Sequence, residues 1–452
     1  MRITIIHPAI GHKIGEKYIR SWQMEPLSVA AIAGLTPKDI DIRFYDDRME
    51  TIPYDEATDA VVISVETYTA KRAYQIASEY RTRHIPVIMG GFHPTLLPEE
   101  VQRYAEAVVI GEAEGIWLEV MDDLRHGTLK KCYQNSNPPA LSQVNIDRSL
   151  LANKRYLSIR LIETGRGCKF PCEFCAIQSF FERTHRMRPI EQIIAEINAL
   201  KARTKIFFFV DDNFAGNLPA AKELLKALIP LKIRWVTQMS INAAHDEEFL
   251  SLLLKSGCTG VLIGFESLDE GNLKIMKKNF NMMKGGYSQA LNNLRRYHIL
   301  VYATFVFGFE NDRVESFEYA VDFAIEQRFY ISAFNHLTPF PGTPLYQRLQ
   351  NEGRLRFDAW WLDDNYRYND LPFYPQHLTP EQVTELCVAS RKRFYSWSSI
   401  LKRGFDPITR HNGFMFRNFF PINTMHRADV ENRNGYPLGD ENWKGQLIEA
   451  RF

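Results

Sequence analysis

Strand-length apolar runs alternate with segments of helical period along most of this chain, and that alternation admits few folds other than parallel sheets with helices packed on them. The first series of runs is Ile3 to Ile6, Ile42 to Tyr45, Ala60 to Val65, Val87 to Met89 and Ala107 to Ile110. Helical segments start near Pro26 and cover Ala70 to Tyr80, and Gly90-Gly91 turns directly after a strand. Five such strands predict a flavodoxin-like or Rossmann-like layer. From about Gly127 to Asn153 the periodicity fades, and Asn135, Ser136, Asn137, Pro138 and Pro139 give the composition of a connection. A second series follows: Leu157 to Glu163, Lys205 to Asp211, Ile233 to Gln238, Gly260 to Phe265, Val301 to Gly308 and Tyr330 to Leu337. Six strand-helix units predict a partial barrel. After Pro189, residues Ile190, Ile193, Ile194, Ile197 and Leu200 share the helix face that packs on it. Beyond Pro344 one helix, Pro380 to Ser396, is expected among long aromatic stretches. The expected class is α/β, with domains at residues 1–140, 150–345 and 346–452, the last mainly helical or irregular and capping the barrel.

Composition narrows the function. Lysine plus arginine (55) nearly balance aspartate plus glutamate (54) in 452 residues, so a nucleic-acid-binding arm has no support. No window approaches the roughly 18 consecutive apolar residues of a membrane span. The opening Met-Arg-Ile-Thr-Ile-Ile-His-Pro is one strand long and too short for a secretory signal, which predicts a cytoplasmic protein. Six cysteines in so long a chain cannot form a disulfide framework, and three of them crowd into eight positions.

Those three are Cys168, Cys172 and Cys175, spaced Cys-x3-Cys-x2-Cys in the loop after the first barrel strand. Chance placement would yield such a hit about once in a thousand chains of this composition. Four thiolates would close a zinc site, whereas three can hold three irons of a [4Fe-4S] cube and leave the fourth open to a ligand. The alternative is a zinc knuckle or a set of buried cysteines. No histidine stands at fourth-ligand spacing, His185 being ten residues past Cys175. Gly165 and Gly167 let the loop wrap closely around a cofactor, or simply serve its turns.

With these cysteines the chain resembles the radical S-adenosylmethionine (SAM) superfamily, in which this spacing follows strand one of a partial (β/α)6 barrel. Phe209-Val-Asp211-Asp212-Asn213-Phe214, Gly264-Phe265-Glu266-Ser267 and Phe305-Val-Phe-Gly308-Phe309 are similar to its later motifs. The resemblance implies that Cys168, Cys172 and Cys175 hold a [4Fe-4S] cluster and that Asp211, Asp212, Glu266, Ser267 and Gly308 contact SAM. It also implies reductive cleavage of SAM, usually to a 5′-deoxyadenosyl radical that removes hydrogen from an unactivated position. A flavodoxin- or ferredoxin-type electron donor is then expected.

The first 125 residues resemble the cobalamin-binding domain that precedes the barrel in one branch of that superfamily. The matching stretches are Pro26-Leu-Ser-Val-Ala30, Ala60 to Ser64, Gly90-Gly-Phe-His-Pro94 and Val109-Ile-Gly-Glu112. Ser64, Glu66, Thr67, Gly90 and Gly91 would then line the corrinoid face. The Asp-x-His-x-x-Gly element that supplies an axial histidine in other cobalamin proteins is missing, and His12 is read as a surface residue. A sheet that no longer binds cobalamin is the alternative. The implied function is methylation of an unactivated carbon in a small-molecule or lipid metabolite by a cobalamin-dependent radical SAM enzyme. A radical rearrangement, ring closure or transfer of another part of SAM is the competing chemistry, and a non-catalytic cobalamin- or metal-binding regulator the competing class.

In the tail, Trp360, Trp361, Tyr366, Tyr368, Phe373, Tyr374, Phe414, Phe416, Phe419 and Phe420 either cap the barrel mouth or pack as core. Arg391-Lys-Arg393 and Lys402-Arg403 flank apolar residues, as on a solvated helix or a membrane-contacting face. Cys132, Cys258 and Cys387 stand alone and are expected to be inert.

Overall fold

The computed structural model describes residues 1–282 and 286–449. Two parallel sheets dominate it. The first has six strands: β1 (Arg2–His7), β2 (Asp41–Asp46), β3 (Ala60–Ser64), β4 (Val87–Gly90), β5 (Ala107–Ile110) and β6 (Cys132–Gln134). Their order is β2-β1-β3-β4-β5-β6, so the direction of winding reverses between β1 and β3. That is the flavodoxin-like order, with ligands expected outside the carboxyl ends of the strands at the reversal. β3 reads Ala-Val-Val-Ile-Ser and is buried on both faces, as a central parallel strand must be. Helices α1 (Leu27–Leu35) and α3 (Trp117–His126) cover one face, while α2 (Ala70–Arg81) buries Ala73, Tyr74, Ile76 and Ala77 against the other. Strand β6 falls inside the stretch expected to be only a connection.

The second sheet is β7 (Arg160–Ile162), β8 (Phe207–Phe209), β9 (Trp235–Gln238), β10 (Cys258–Glu266), β11 (Leu300–Phe307) and β12 (Ile331–His336). Each strand pairs in parallel with its sequence neighbours, and β7 and β12 do not pair among the described residues. The result is a partial barrel rather than a closed one. Outside it lie α4 (Ile190–Leu200), α5 (Leu218–Leu228), α6 (Glu247–Lys255), α7 (Gly286–Arg296) and α8 (Val314–Glu326). The isoleucine face of α4 packs inward, with Ile193 and Ile197 fully buried.

The tail is more helical than its periodicity predicts. After the helix Pro344–Asn351 that leads into it, residues 380–433 form α9 (Pro380–Phe394), α10 (Trp397–Gly404), α11 (Pro407–His411) and α12 (Gly413–Arg433). It also joins the two sheets. Trp360, Trp361 and Tyr366 enter the core of the first sheet, Leu371, Phe373, Val383 and Phe394 enter that of the barrel, and Gly439–Asp440 pairs with Gly11–His12. Phe414, Phe419 and Phe420 sit beside Leu300 and Tyr330, under the amino-terminal ends of β11 and β12, so they do not cap the mouth.

Candidate functional site

The cysteine loop leaves the carboxyl end of β7 and is held from several sides. Gly165–Gly167 pairs antiparallel with His185–Met187. Gly167 has φ +87°, and a Cβ there would lie 2.1 Å from the Thr184 carbonyl oxygen, so no other residue fits. Phe170 stacks on Phe280 at 3.7 Å, Glu173 accepts from Arg348 at 2.8 Å, and the Asn213 amide lies 3.8 Å from the Cys168 sulfur. Of these restraints only the Asn213 contact involves a thiol. Burial pushes the Cys172 thiol up to about 12 and the Cys175 thiol up to about 11, and each cysteine feels the charge of another. Such thiols are protonated at neutral pH until a metal displaces the protons. Among the described residues no three His, Cys, Asp or Glu side chains converge on a single-ion site. A cube needs wider spacing, because each thiolate meets a different iron, and three thiols in one anchored loop fit that demand.

The residues expected around SAM divide by position. Asp211 is buried: its Oδ1 accepts from the Thr164 and Gly165 amides at 2.6 and 2.9 Å, and its Oδ2 accepts from the Thr164 hydroxyl. Burial pushes its carboxyl up to about 7. These bonds shape the start of the cysteine loop, so Asp211 acts on it from behind. Asp212 accepts from the Gly167 amide at 2.7 Å through Oδ2, and burial pushes its carboxyl up to about 6. Glu266 ends β10 at φ +60°, where the register with β11 shifts. A non-glycine residue in that conformation stores about 1–3 kcal/mol of strain, held here by the surrounding packing. Its carboxylate meets the Lys278 ammonium at 2.5 Å, with both side chains nearly buried. Ser267 instead accepts from the Asp269 amide at 3.1 Å and so serves the local turn. Gly308 donates to Asp312 at 2.8 Å and faces Leu371 and Phe373 of the tail.

At the carboxyl edge of the first sheet lies a cavity of about 290 Å³. Ser64, Glu66, Gly90 and Gly91 line it, together with Gly111. Small residues at the ends of β3, β4 and β5 leave a flat floor, and Gly91, at φ +112°, brings backbone where a Cβ would lie 2.8 Å from the Val65 carbonyl oxygen. Such a floor fits the face of a corrinoid. Glu66 reaches into the opening, and the protein enclosing it raises its carboxyl above the usual range. Thr67 is different: it is 4% exposed and faces His93 at 3.4 Å beneath the floor. His12 is outside the cavity lining, half-buried against Asp47 at 3.2 Å and strand-paired with the tail, so it is not a free surface residue.

The opposite wall of the cavity belongs to the barrel. Glu163, Arg166, Phe180 and Phe181 come from the segment that also carries the cysteines. Arg166 spends all five of its N–H donors on three carboxylates. Nε and Nη2 reach Glu163, both at 2.9 Å; Nη1 reaches Glu112 at 2.6 Å and Glu114 at 3.1 Å; Nη2 also reaches Glu114 at 2.8 Å. Burial alone would lower the guanidinium pKa, but Glu163 and Glu114 outweigh it. Sequence reasoning quoted Glu112 and Asn213 only as members of matching stretches and assigned no role to Arg166, Glu114 or Lys278. The only signal for Arg166 was a lone charge between two glycines ahead of Cys168.

Comparison with known proteins agrees with this two-walled arrangement. Residues 162–324 match the Radical SAM superfamily, and residues 12–120 match the B12 binding domain. Bacteriochlorophyllide d C-12(1)-methyltransferase of Chlorobaculum tepidum is 33% identical over 389 residues, spanning 84% of each chain. Hopanoid C-2 methylase of Rhodopseudomonas palustris TIE-1 is 26% identical over 84% of this chain and 73% of its own. Among solved structures, TsrM of Kitasatospora setae with cobalamin and a [4Fe-4S] cluster bound superposes with TM-score 0.62, covering 95% of this chain and 99% of TsrM at 16% identity. OxsB with aqua-cobalamin and S-adenosylmethionine superposes with TM-score 0.61, covering 95% and 72% at 15% identity. Two cradles that face each other across Arg166, in a chain with these relatives, leave one assignment: the protein belongs to the radical SAM superfamily, in the branch with an N-terminal B12-binding domain, and is a methyltransferase-type enzyme that works with a [4Fe-4S] cluster, SAM and cobalamin.

Proposed function

We propose that the enzyme methylates an unactivated carbon of an apolar small-molecule or lipid metabolite, with electrons from a flavodoxin- or ferredoxin-type donor in the cytoplasm. The observation that carries this reading is the cavity whose floor is the first sheet and whose wall is the cysteine loop. When bound, the cluster and SAM supply a radical and cobalamin carries the methyl group. The chain then has three tasks. Cys168, Cys172 and Cys175 hold three irons and leave one open. Asp211 and Asp212 fix the backbone of Thr164, Gly165 and Gly167 beneath that loop. Glu266 offers its free oxygen to SAM while Lys278 anchors the other. The similarity to a bacteriochlorophyllide d methyltransferase and a hopanoid methylase supports a small-molecule or lipid substrate. Ring closure is kept as the second reading, because anaerobic magnesium-protoporphyrin IX monomethyl ester cyclase of Rubrivivax gelatinosus is 23% identical over 90% of this chain. Anaerobic turnover with [methyl-13C]SAM separates them. A labelled methyl on a product carbon supports methylation, and an unlabelled, hydrogen-depleted product supports cyclisation.

Two narrower results are expected. Lys278→Met leaves the nearly buried Glu266 carboxylate without its cation, and should weaken SAM binding about tenfold by calorimetry while iron content stays constant. Unchanged affinity would make the pair purely structural. For the corrinoid, no histidine lines the cavity among the described residues. The corrinoid is therefore expected base-off and without protein imidazole ligation, and paramagnetic resonance of its cob(II)alamin form should lack nitrogen superhyperfine splitting. A nitrogen triplet that disappears in His12→Ala would refute this.

A further inference from the structure

Of the eleven large apolar side chains exposed among the described residues, three fall on one short stretch: Trp397, Leu401 and Phe405, at 53, 49 and 56% exposure. Spaced four apart, they stand on one side of α10 and the residue that ends it. Phe405 continues the patch onto α12, with ring centroids 6.3 Å from Phe416 and 5.8 Å from Phe420. Single exposed apolar residues are ordinary, whereas a contiguous group needs a partner.

Charge identifies the partner. From Ser396 to Ala428 the chain holds five lysines and arginines and one acid, Asp406. Asp406 is 7% exposed and bound to Arg295 at 3.1 Å, so it does not offset them at the surface. Arg403 is buried, its guanidinium 3.8 Å from the centroid of the Phe394 ring. Lys402, Arg410, Arg417 and Arg427 remain exposed, and Arg427 lies over the Trp397 ring at 5.5 Å. Lys392 and Arg393 pair with Glu431 and Asp322 and add no free charge. An apolar stripe flanked by unneutralised cations matches an anionic bilayer surface, where aromatic and leucine side chains enter the headgroup layer and lysine and arginine meet phosphates. Self-association on a twofold axis would instead press the same cations together. No described helix is long and apolar enough to cross a membrane, so the contact would be superficial.

We infer that α10 and the adjoining face of α12 dock the enzyme on anionic membranes. The buried sides of these helices, through Ile400, Met415 and Phe419, pack on Leu300 and Tyr330 under the amino-terminal ends of the barrel strands. Docking therefore places the amino-terminal end of the barrel strands on the lipid and leaves their carboxyl end, with the cysteine loop, facing away. This surface anchors the protein and does not feed lipid directly into the site.

The test uses the full chain and sucrose-loaded vesicles, either pure phosphatidylcholine or with about 30 mol% phosphatidylglycerol. Cosedimentation should favour the anionic vesicles at least about tenfold and fall in high salt. Lys402→Glu/Arg410→Glu/Arg417→Glu should reduce binding on the order of a hundredfold. Trp397→Ser/Leu401→Ser/Phe405→Ser should abolish binding to both vesicles, and circular dichroism melting should be unchanged because the three side chains are exposed. Equal partition of the wild type to both vesicles, or unaltered binding by either triple variant, overturns the proposal. So does a concentration-dependent dimer in sedimentation velocity that the apolar triple variant removes, which would give the patch to a second copy.

Discussion

Alanine at any one of Cys168, Cys172 and Cys175 is expected to take iron content from about four per chain to near zero and methyl transfer to background. Two thiolates hold only half of a cube, and no other Cys stands in the loop to substitute. The loop itself should survive, because Arg166, Phe170 on Phe280 and Glu173 on Arg348 fix it without the thiols. Melting of the metal-free variants should thus match that of metal-free wild type, separating loss of ligation from loss of fold. Cys132→Ser supplies the control: that residue is half-buried in β6, in the first sheet, and its replacement should leave all the iron in place. Full iron retention in a loop variant, measured by colorimetric assay, would break the assignment of that residue.

The strands that sequence exposed most plainly were those buried on both faces, because a central parallel strand must be apolar throughout. β6 escaped notice for the opposite reason: it has three residues, and only Tyr133 is buried. Helix α12 escaped because its buried row includes Asn423, which donates to the Phe419 and Tyr330 carbonyls, and because Pro421 lies inside it. Polar residues on a buried face hide a helical period. In the site, the cysteine spacing was legible since all three cysteines share one loop. Thr67 misled, because after β3 the chain enters a tight turn that carries its hydroxyl under the floor toward His93. Arg166 was invisible because Glu112 and Glu114 precede it by about fifty residues, and only the docking of one sheet on the other brings them together.

That docking gives Arg166→Gln the second large expected effect. The substitution removes the one guanidinium shared by Glu112, Glu114 and Glu163, whose side chains are 8, 5 and 22% exposed. Arg186 remains to Glu112, but Glu114 and Glu163 lose their cation. Breaking a buried ion network in this way costs about 3–5 kcal/mol, seen as a lower midpoint in denaturant. Burial opposes ionisation of the Glu114 carboxyl and the Arg166 guanidinium overcomes it, holding that carboxyl below its usual range. With the cation gone, burial raises the Glu114 carboxyl in the folded variant above its unfolded value, so this part of the destabilisation is fullest above the folded value and fades as pH falls through it, and the variant should recover relative to wild type in mild acid. Arg166 also ties the cysteine loop to the floor of the cavity on the first sheet, so its loss should loosen the placement of the two cradles relative to each other. A misplacement of about 1 Å can cost a hundredfold in rate. Iron and corrinoid contents should stay near wild type while turnover falls by about that factor, and Arg166→Lys, which keeps charge but loses the fork, should fall between them. Turnover and denaturation midpoint both unchanged in Arg166→Gln would show that the two cradles are held in register by other contacts.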